Sequence, residues 1–505
     1  MPNLLPHRLA LRRISEPSVG LHEMKRHVIR LIRRSVLAVG VSSVLAGHLA
    51  AQTFKTLHSF TAASGFNSGN NPINLDGANP QAGLFLSGNI LYGTTTYGGS
   101  AGNGTVFAIN SGGGGFINLY TFSAAGGTPP FWLNSDGANP YASLILAANT
   151  LYGTAAYGGT FGGGTVFSLQ SDGTGFKTLY SFTGANDGAQ PYGSLVLSNN
   201  TLYGANTGNA VFDVKTDGTG FAILYGLVTA YNPRTGLVLS GNTLYGTTYN
   251  GGSGRTDYGT VFALNVDGTA FRLAHSFTGG KGGAYPRGGL VLFGSTLYGT
   301  TYGGGGSDSG TVFKVNTDGT GFTVLHSFSA LNNTPNGTTN ADGANPVAGL
   351  ALSGNTLYGA ASGGGSSGEG TIFAVDTNGT SFAILHSFTT RGLAPYTNSD
   401  GGYPAGGLIA SGNTLYGTTY YGGSGGNGTI FSISLGTSAV PQLSISLVGE
   451  TVVLTWPTNA TGFTLQATTN LASPIWTSNL PAPVVINGQN TVTNPVSGAQ
   501  RFYRL

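Results

Sequence analysis

From residue 52 to about residue 434 the chain alternates short apolar runs with turns rich in glycine and asparagine, in a pattern that recurs. One full copy runs from Gly236 to Phe277: GLVLSGNTLYGTTYNGGSGRTDYGTVFALNVDGTAFRLAHSF. Leu-Val-Leu and Thr-Leu-Tyr flank a Ser-Gly-Asn turn, the pattern of a tight β-hairpin. A third run, Gly-Thr-Val-Phe, follows. An Asp-Gly turn then leads to a fourth, in which Phe271, Leu273, His275 and Phe277 alternate with Arg272, Ala274 and Ser276. Alternation of period two is the strand signal, so each copy predicts four short antiparallel strands.

The Leu-Tyr-Gly triplet of the second strand starts at Leu91, Leu151, Leu202, Leu244, Leu297, Leu357 and Leu415, with spacings of 60, 51, 42, 53, 60 and 58 residues. The third run ends at Phe107, Phe167, Phe212, Phe262, Phe313, Phe373 and Phe431. Four strands per unit of about 40 to 60 residues predict β-propeller blades. The first fourth-strand motif, Phe54 to Phe60, precedes any hairpin, whereas the last unit stops after Gly-Thr-Ile-Phe-Ser-Ile-Ser without one. The N-terminal strand is therefore expected to complete the last blade and remove two exposed sheet edges. A linear β-solenoid would explain the glycine content but not this complementary offset. The expected fold is all-β: a seven-bladed β-propeller over 52–435, closed by its N-terminal strand, and a linker at 436–441. A small C-terminal β-sandwich of immunoglobulin or fibronectin type follows over 442–505, with Trp456 and Trp476 as core candidates.

Residues 1–51 carry a basic head, the apolar run SVLAVGVSSVLAGHLA and small residues near Ala50 and Ala51, the layout of a secretory signal peptide. Met24 is an alternative start, and Arg33-Arg34 leaves a twin-arginine signal open beside general export. Cleavage near Gln52 removes eight of the 20 Lys and Arg and two of the 17 Asp and Glu, leaving 12 against 15 and a net charge near −3. The basic balance thus belongs to the leader and gives no support to nucleic-acid binding. No transmembrane segment is expected after cleavage. The chain has no cysteine, which excludes disulfides, thiolate metal sites and a cysteine nucleophile. Only 7% of residues are charged while 11% are aromatic, a balance of packed β-structure rather than disorder.

The run LYGTT…GG…GTVF…DGTGF…LHSF resembles the tandem repeat called GloVer, found in exported bacterial proteins of Verrucomicrobia and similar groups. The resemblance covers roughly Gln52 to Ser434. It implies export and a surface or secreted role, and it supplies no catalytic residues. The tail resembles a C-terminal module of secreted proteins from the same bacteria, ending in an aromatic-Arg-Leu such as Tyr503-Arg504-Leu505.

Loops between strands two and three, and from strand four into the next unit, are long, variable and on one rim, where binding usually resides. They carry Tyr97, Tyr157, Tyr249, Tyr302 and Tyr421, whose rings would either stack on sugar faces or pack glycine loops against the neighbouring unit. Asp257, Asp308 and Glu369 occupy one loop of three consecutive units, and the reading tested against solvated charge is an acidic sector binding Ca²⁺. The Asp-Gly-Ala-Asn-Pro segments at Asp76, Asp136 and Asp342, with looser forms at Asp187 and Asp400, read as turn-formers. Outside the leader, His58, His275, His326 and His386 share one fourth-strand position with Tyr120, Tyr180 and Tyr225, which marks packing with a polar tip. No catalytic residue and no cofactor beyond that Ca²⁺ is assigned. The expected function is an exported binding or scaffold module for a glycan or a surface protein. The rivals are a carbohydrate-active hydrolase or lyase, drawing on Asp257, Asp308, Glu369, Arg255 and Arg287, and a purely structural surface component.

Overall fold

The computed structural model describes residues 52–126, 133–227, 230–252, 257–334 and 337–435, and short stretches of the tail between 443 and 504. The leader, Arg255, the linker at 436–441 and Trp476 lie outside the described residues. The chain divides into two compact units, one of which spans His48–Thr437 while the tail from Ser438 belongs to the other. No α-helix occurs among the described residues; one 3₁₀ turn, Gly280–Gly282, is the exception to an all-β structure. No described helix is long and apolar enough to cross a membrane.

Seven four-stranded antiparallel sheets, with three two-stranded ones in their loops, make up the described sheet structure of the first unit. The fifth is representative: Val291–Phe293, Thr296–Thr301, Thr311–Asn316 and Thr323–Ser327 pair in chain order. Its second and third strands are buried on nearly every residue, because a neighbouring sheet covers each face. This explains why Thr-Leu-Tyr-Gly-Thr-Thr shows no clean alternation. The last sheet differs in origin. Ile409–Ser411, Thr414–Thr419 and Thr429–Ser434 take their fourth strand from Thr53–Ser59, with Thr53 opposite Ser434 and Ser59 opposite Thr429.

One expectation needs correcting in every fourth strand. Strict alternation fails there because a bulge interrupts the register: Val261 faces His275 while Phe262 faces Leu273, so Ala274 is the extra residue. The same shift occurs at Val312/Phe313 and Ile372/Phe373. The bulge lets Leu325 and Leu385, at the position of Ala274, turn inward beside the preceding and following apolar positions.

Successive sheets pack face to face through recurring aromatic contacts. The His or Tyr of each fourth strand stacks on the first phenylalanine of the next: Tyr120 on Phe176, Tyr180 on Phe221, Tyr225 on Phe271 and His275 on Phe322. The series continues with His326 on Phe382 and His386 on Phe54, and returns to the first sheet with His58 on Phe116 at 4.0 Å. A flat ring with one polar edge is what the position needs, which is why His and Tyr interchange there. The interface of last and first sheets is also apolar, with Ile430 clustered with Leu84, Leu91, Phe107 and Ile109.

In the tail, Ser444–Val448, Thr451–Pro457, Gln489–Pro495 and Val484–Ile486 form one antiparallel sheet, and Gln466–Thr468 pairs with Phe502–Arg504. Leu454, Trp456, Leu465 and Val492 form its core, as expected of Trp456.

Candidate functional site

The loops leading into each first strand are built to one plan. An aspartate in the loop reaches back to the strand just left. Asp400 accepts from His386 Nε2 at 3.0 Å, from the Thr389 amide at 3.0 Å and from the Thr389 hydroxyl. Asp76 and Asp342 do the same with His58 and His326, while Asp136 and Asp187 accept from Tyr120 and Tyr180 hydroxyls at 2.8 and 2.9 Å. Burial would raise the carboxyl of Asp76, Asp342 and Asp400, but the hydrogen bonds from histidine and hydroxyl outweigh it and hold all three below the usual range. These carboxylates do not cap their own turns as expected: the amides they bind, at Thr61, Ser123, Thr183, Ser329 and Thr389, lie 4 to 15 residues upstream, and the tie to the aromatic tip of the preceding strand was missed.

The third and fourth of the seven positions, counted from Tyr120's sheet as the first, lack such an aspartate. They carry Tyr225 and His275. Burial, with no described carboxylate within ion-pair distance, pushes the His275 imidazole down to about 4. A folded pKa near 4 against the ordinary histidine value of about 6.5 means the unfolded chain binds the proton first as pH falls. The stabilisation is complete above about pH 6.5 and fades towards pH 4, by up to about 3 kcal/mol. His275→Phe keeps the stack on Phe322, so urea unfolding at pH 7.5 and 4.5 should show a clearly smaller acid loss in this variant than in the parent.

Beyond each aspartate comes a proline preceded by a residue in left-handed backbone. Asn79, Asn139, Asn232 and Asn345 hold φ between 54° and 63°, and Gln190, Tyr285 and Tyr403 between 56° and 59°. That conformation is unusual for glutamine and tyrosine. It is held by ties to the neighbouring sheet, such as Asn139 Nδ2 donating to the Thr96 carbonyl at 2.9 Å and Asn345 Nδ2 to that of Tyr302 at 2.9 Å. The bend delivers the residue after each proline to a common place.

That place is a cavity of about 400 Å³. From the first four incoming loops Gln81, Tyr141, Tyr192 and Arg234 line it; the remaining three contribute Arg287, Val347 and Ala405. The bend and the proline repeat in all seven loops, whereas the residue after the proline ranges over glutamine, tyrosine, arginine, valine and alanine. Tyr141 and Tyr192 sit with ring centroids 4.8 Å apart, and burial together with neighbouring tyrosines pushes both hydroxyls well above their ordinary range. The Arg287 guanidinium lies 4.8 Å over the Tyr249 ring and 4.4 Å over Tyr302, while Arg234 lies 5.4 Å over the same Tyr249.

Four of the five tyrosines singled out from the sequence stand directly behind this lining rather than in it. Tyr97 meets Tyr141 hydroxyl to hydroxyl at 3.5 Å, Tyr157 meets Tyr192 at 2.6 Å, and Tyr249 and Tyr302 support Arg287. Tyr421 is exposed, with Arg391 4.7 Å over its ring. The three carboxylates each have their own described partners. Asp257 accepts from the Gly251 amide, Asp308 from the Gly304 amide at 2.6 Å, and Glu369 pairs with Arg391 Nε at 2.7 Å. Each is occupied within its own or the following loop, and no group of three His, Asp or Glu placed to hold a metal occurs among the described residues. Of the charged candidates, Arg287 alone lines the cavity; Arg234 and the lining tyrosines were not anticipated. The signal was available as the one position after proline that varies where its surroundings repeat.

No curated protein matches the chain. Among solved structures, a crystal structure of a nidogen/laminin complex is similar at a TM-score of 0.35 and 15% identity, over 59% of this chain and 93% of that one. The computationally designed Ika8 protein is similar at a TM-score of 0.41 and 15% identity, over 71% of this chain and 98% of that one. The profile of the Gloeobacter/Verrucomicrobia repeat matches residues 43–208, 205–391 and 334–448, which together take in most of the chain. The chain belongs to the Gloeobacter/Verrucomicrobia repeat family.

Proposed function

We propose that the repeat unit is a seven-bladed β-propeller closed by its N-terminal strand, and that the protein is an exported module binding a glycan at its central cavity. The pairing of Thr53–Ser59 with Thr429–Ser434 supports closure, as does the series of stacked rings that returns from His58 to Phe116. The tail, with a four-stranded and a two-stranded sheet, fits the small β-sandwich expected for it. Export rests on the leader-like residues 1–51.

One observation carries the binding reading. Seven loops with the same bend and proline bring seven side chains together, and these range from glutamine, tyrosine and arginine to valine and alanine. A position kept for packing repeats with its neighbours; one that departs in most units at a shared cavity is free to match a ligand. Tyrosine faces beside hydrogen-bonding groups suit sugar rings. The enzyme reading is disfavoured by the same lining, which contains no Asp, Glu or His among the described residues and so lacks the carboxylate pair of glycoside hydrolysis. Screening the purified protein on a glycan array tests the proposal. Saturable binding to a restricted set of glycans is expected; a folded protein that binds none of them would return the weight to a surface-protein partner or a purely structural role.

A further inference from the structure

The cavity is electrically lopsided. Two of its seven convergent positions are arginine and the other five are uncharged, in a chain where only 7% of residues carry charge. Both guanidinium groups lie over one ring, that of Tyr249, at 5.4 and 4.8 Å, so their separation cannot exceed the sum of those distances. The two like charges thus lie within about 10 Å of each other, and an anion held between them would offset their mutual repulsion.

The described residues supply none. Of the described arginines, only Arg391 has a described carboxylate within ion-pair distance. Arg287 has a buried Nε with no hydrogen-bond partner, and its only described polar contact is a long one, 3.4 Å from a terminal nitrogen to the Tyr249 hydroxyl. Arg234 donates from Nε to the neutral Asn232 side chain at 3.1 Å.

The chain contains its own comparison. Arg391 lies over Tyr421 at 4.7 Å, much as Arg287 lies over Tyr302 at 4.4 Å, and there Nε donates to Glu369 at 2.7 Å. One arginine–tyrosine stack is thus completed by a carboxylate of the chain, and the other leaves its buried Nε unfilled in a residue that lines the cavity. A guanidinium fork favours a planar carboxylate or a similar oxyanion in two-point contact. A low-charge wall around two cations also concentrates an anion from solution.

We infer that the cavity takes an acidic sugar, with its carboxylate held by Arg234 and Arg287 and its ring against Tyr141 and Tyr192. The inference rests on the binding reading above and names the class of ligand. A cavity of about 400 Å³ lies within the range of small-ligand pockets.

Isothermal titration of the purified protein with sodium glucuronate, glucose and inorganic sulfate tests it. Glucuronate should bind at least tenfold more tightly than glucose, and its affinity should fall as salt rises. Arg234→Gln and Arg287→Gln should each weaken glucuronate by about tenfold or more, the scale of a lost hydrogen bond to a charged group. Arg234 is exposed, so its variant tests the idea without disturbing packing. Arg287→Lys keeps the charge and loses the fork, and thermal unfolding of each variant reports on folding. Glucuronate bound no better than glucose, or unaffected by both glutamine substitutions, would overturn the inference. Inorganic sulfate bound as tightly as glucuronate would overturn the sugar. Array binding confined to neutral glycans would sink this inference and leave the binding reading standing; an array without any ligand would sink both.

Discussion

Gly359→Ala should destabilise the repeat unit by about 3 kcal/mol, the upper part of the range for overpacking a core. A β-carbon at Gly359 would sit 2.4 Å from Phe373 Cζ and 2.7 Å from Leu350 Cδ2. Gly359 and Phe373 are directly opposite across the second and third strands, and the ring lies over the space that the missing side chain leaves. Phe373 is fully buried between sheets and packs on Phe328 and Phe382, so it has little room to withdraw. The same contact recurs at Gly93 with Phe107, Gly204 with Phe212 and Gly417 with Phe431. It explains why the Leu-Tyr-Gly triplet and the Gly-Thr-Val-Phe run travel together along the sequence. Chemical denaturation should show the loss, and adding Phe373→Leu to Gly359→Ala should cost less than the two single effects summed. Strict additivity would mean that the two side chains do not meet.

Asp400→Ala should cost about 2–3 kcal/mol, from hydrogen bonds to a charged acceptor and from leaving the Thr389 amide without it. Asp400 is only 5% exposed and gathers three donors in one loop. The effect has a pH signature. Burial opposes the charged form and the donors from His386 and Thr389 favour it more strongly, so the folded pKa lies below the ordinary aspartate range. Its contribution is therefore fully present above about pH 4 and disappears as pH falls through the folded value. The parent and Asp400→Ala should differ at pH 7 and converge near pH 2, followed by urea midpoints. An equal difference at both pH values would contradict the charge-based account. Asp318 provides the contrast, since it caps its own exposed turn through Thr320, and its replacement should leave the midpoint nearly unchanged.

Most of the fold could be read from the residues because each unit repeats its own local signals. Seven triplets and the displaced Phe54–Phe60 motif located the seven sheets and the pairing of the first strand with the last. The fourth-strand bulge could not be read. It is a backbone irregularity that places Ala274 or Leu325 inward, and nothing in a five-residue run distinguishes it from plain alternation. The aspartate ties escaped for a different reason. Their partners lie from 7 residues apart, in Tyr180 and Asp187, to 18 apart, in His58 and Asp76, too irregular a spacing to read as a motif. The site was half legible. Loop composition led to Tyr97, Tyr157, Tyr249 and Tyr302, which stand behind Tyr141, Tyr192 and Arg287, and to Tyr421, which does not. Residues from Gln81 to Ala405 become neighbours only when all seven loops converge. Asp257, Asp308 and Glu369 looked alike because they share a loop position, and their partners separate them.

The central claim is that binding resides in the cavity where the repeat loses its identity, and array binding by three forms of the purified protein tests it most directly. The parent should bind a restricted set of glycans, Arg287→Gln should lose at least tenfold of that signal, and Tyr421→Ala, away from the cavity lining, should retain it. Binding that survives Arg287→Gln but is lost with Tyr421→Ala would place recognition elsewhere and contradict the account.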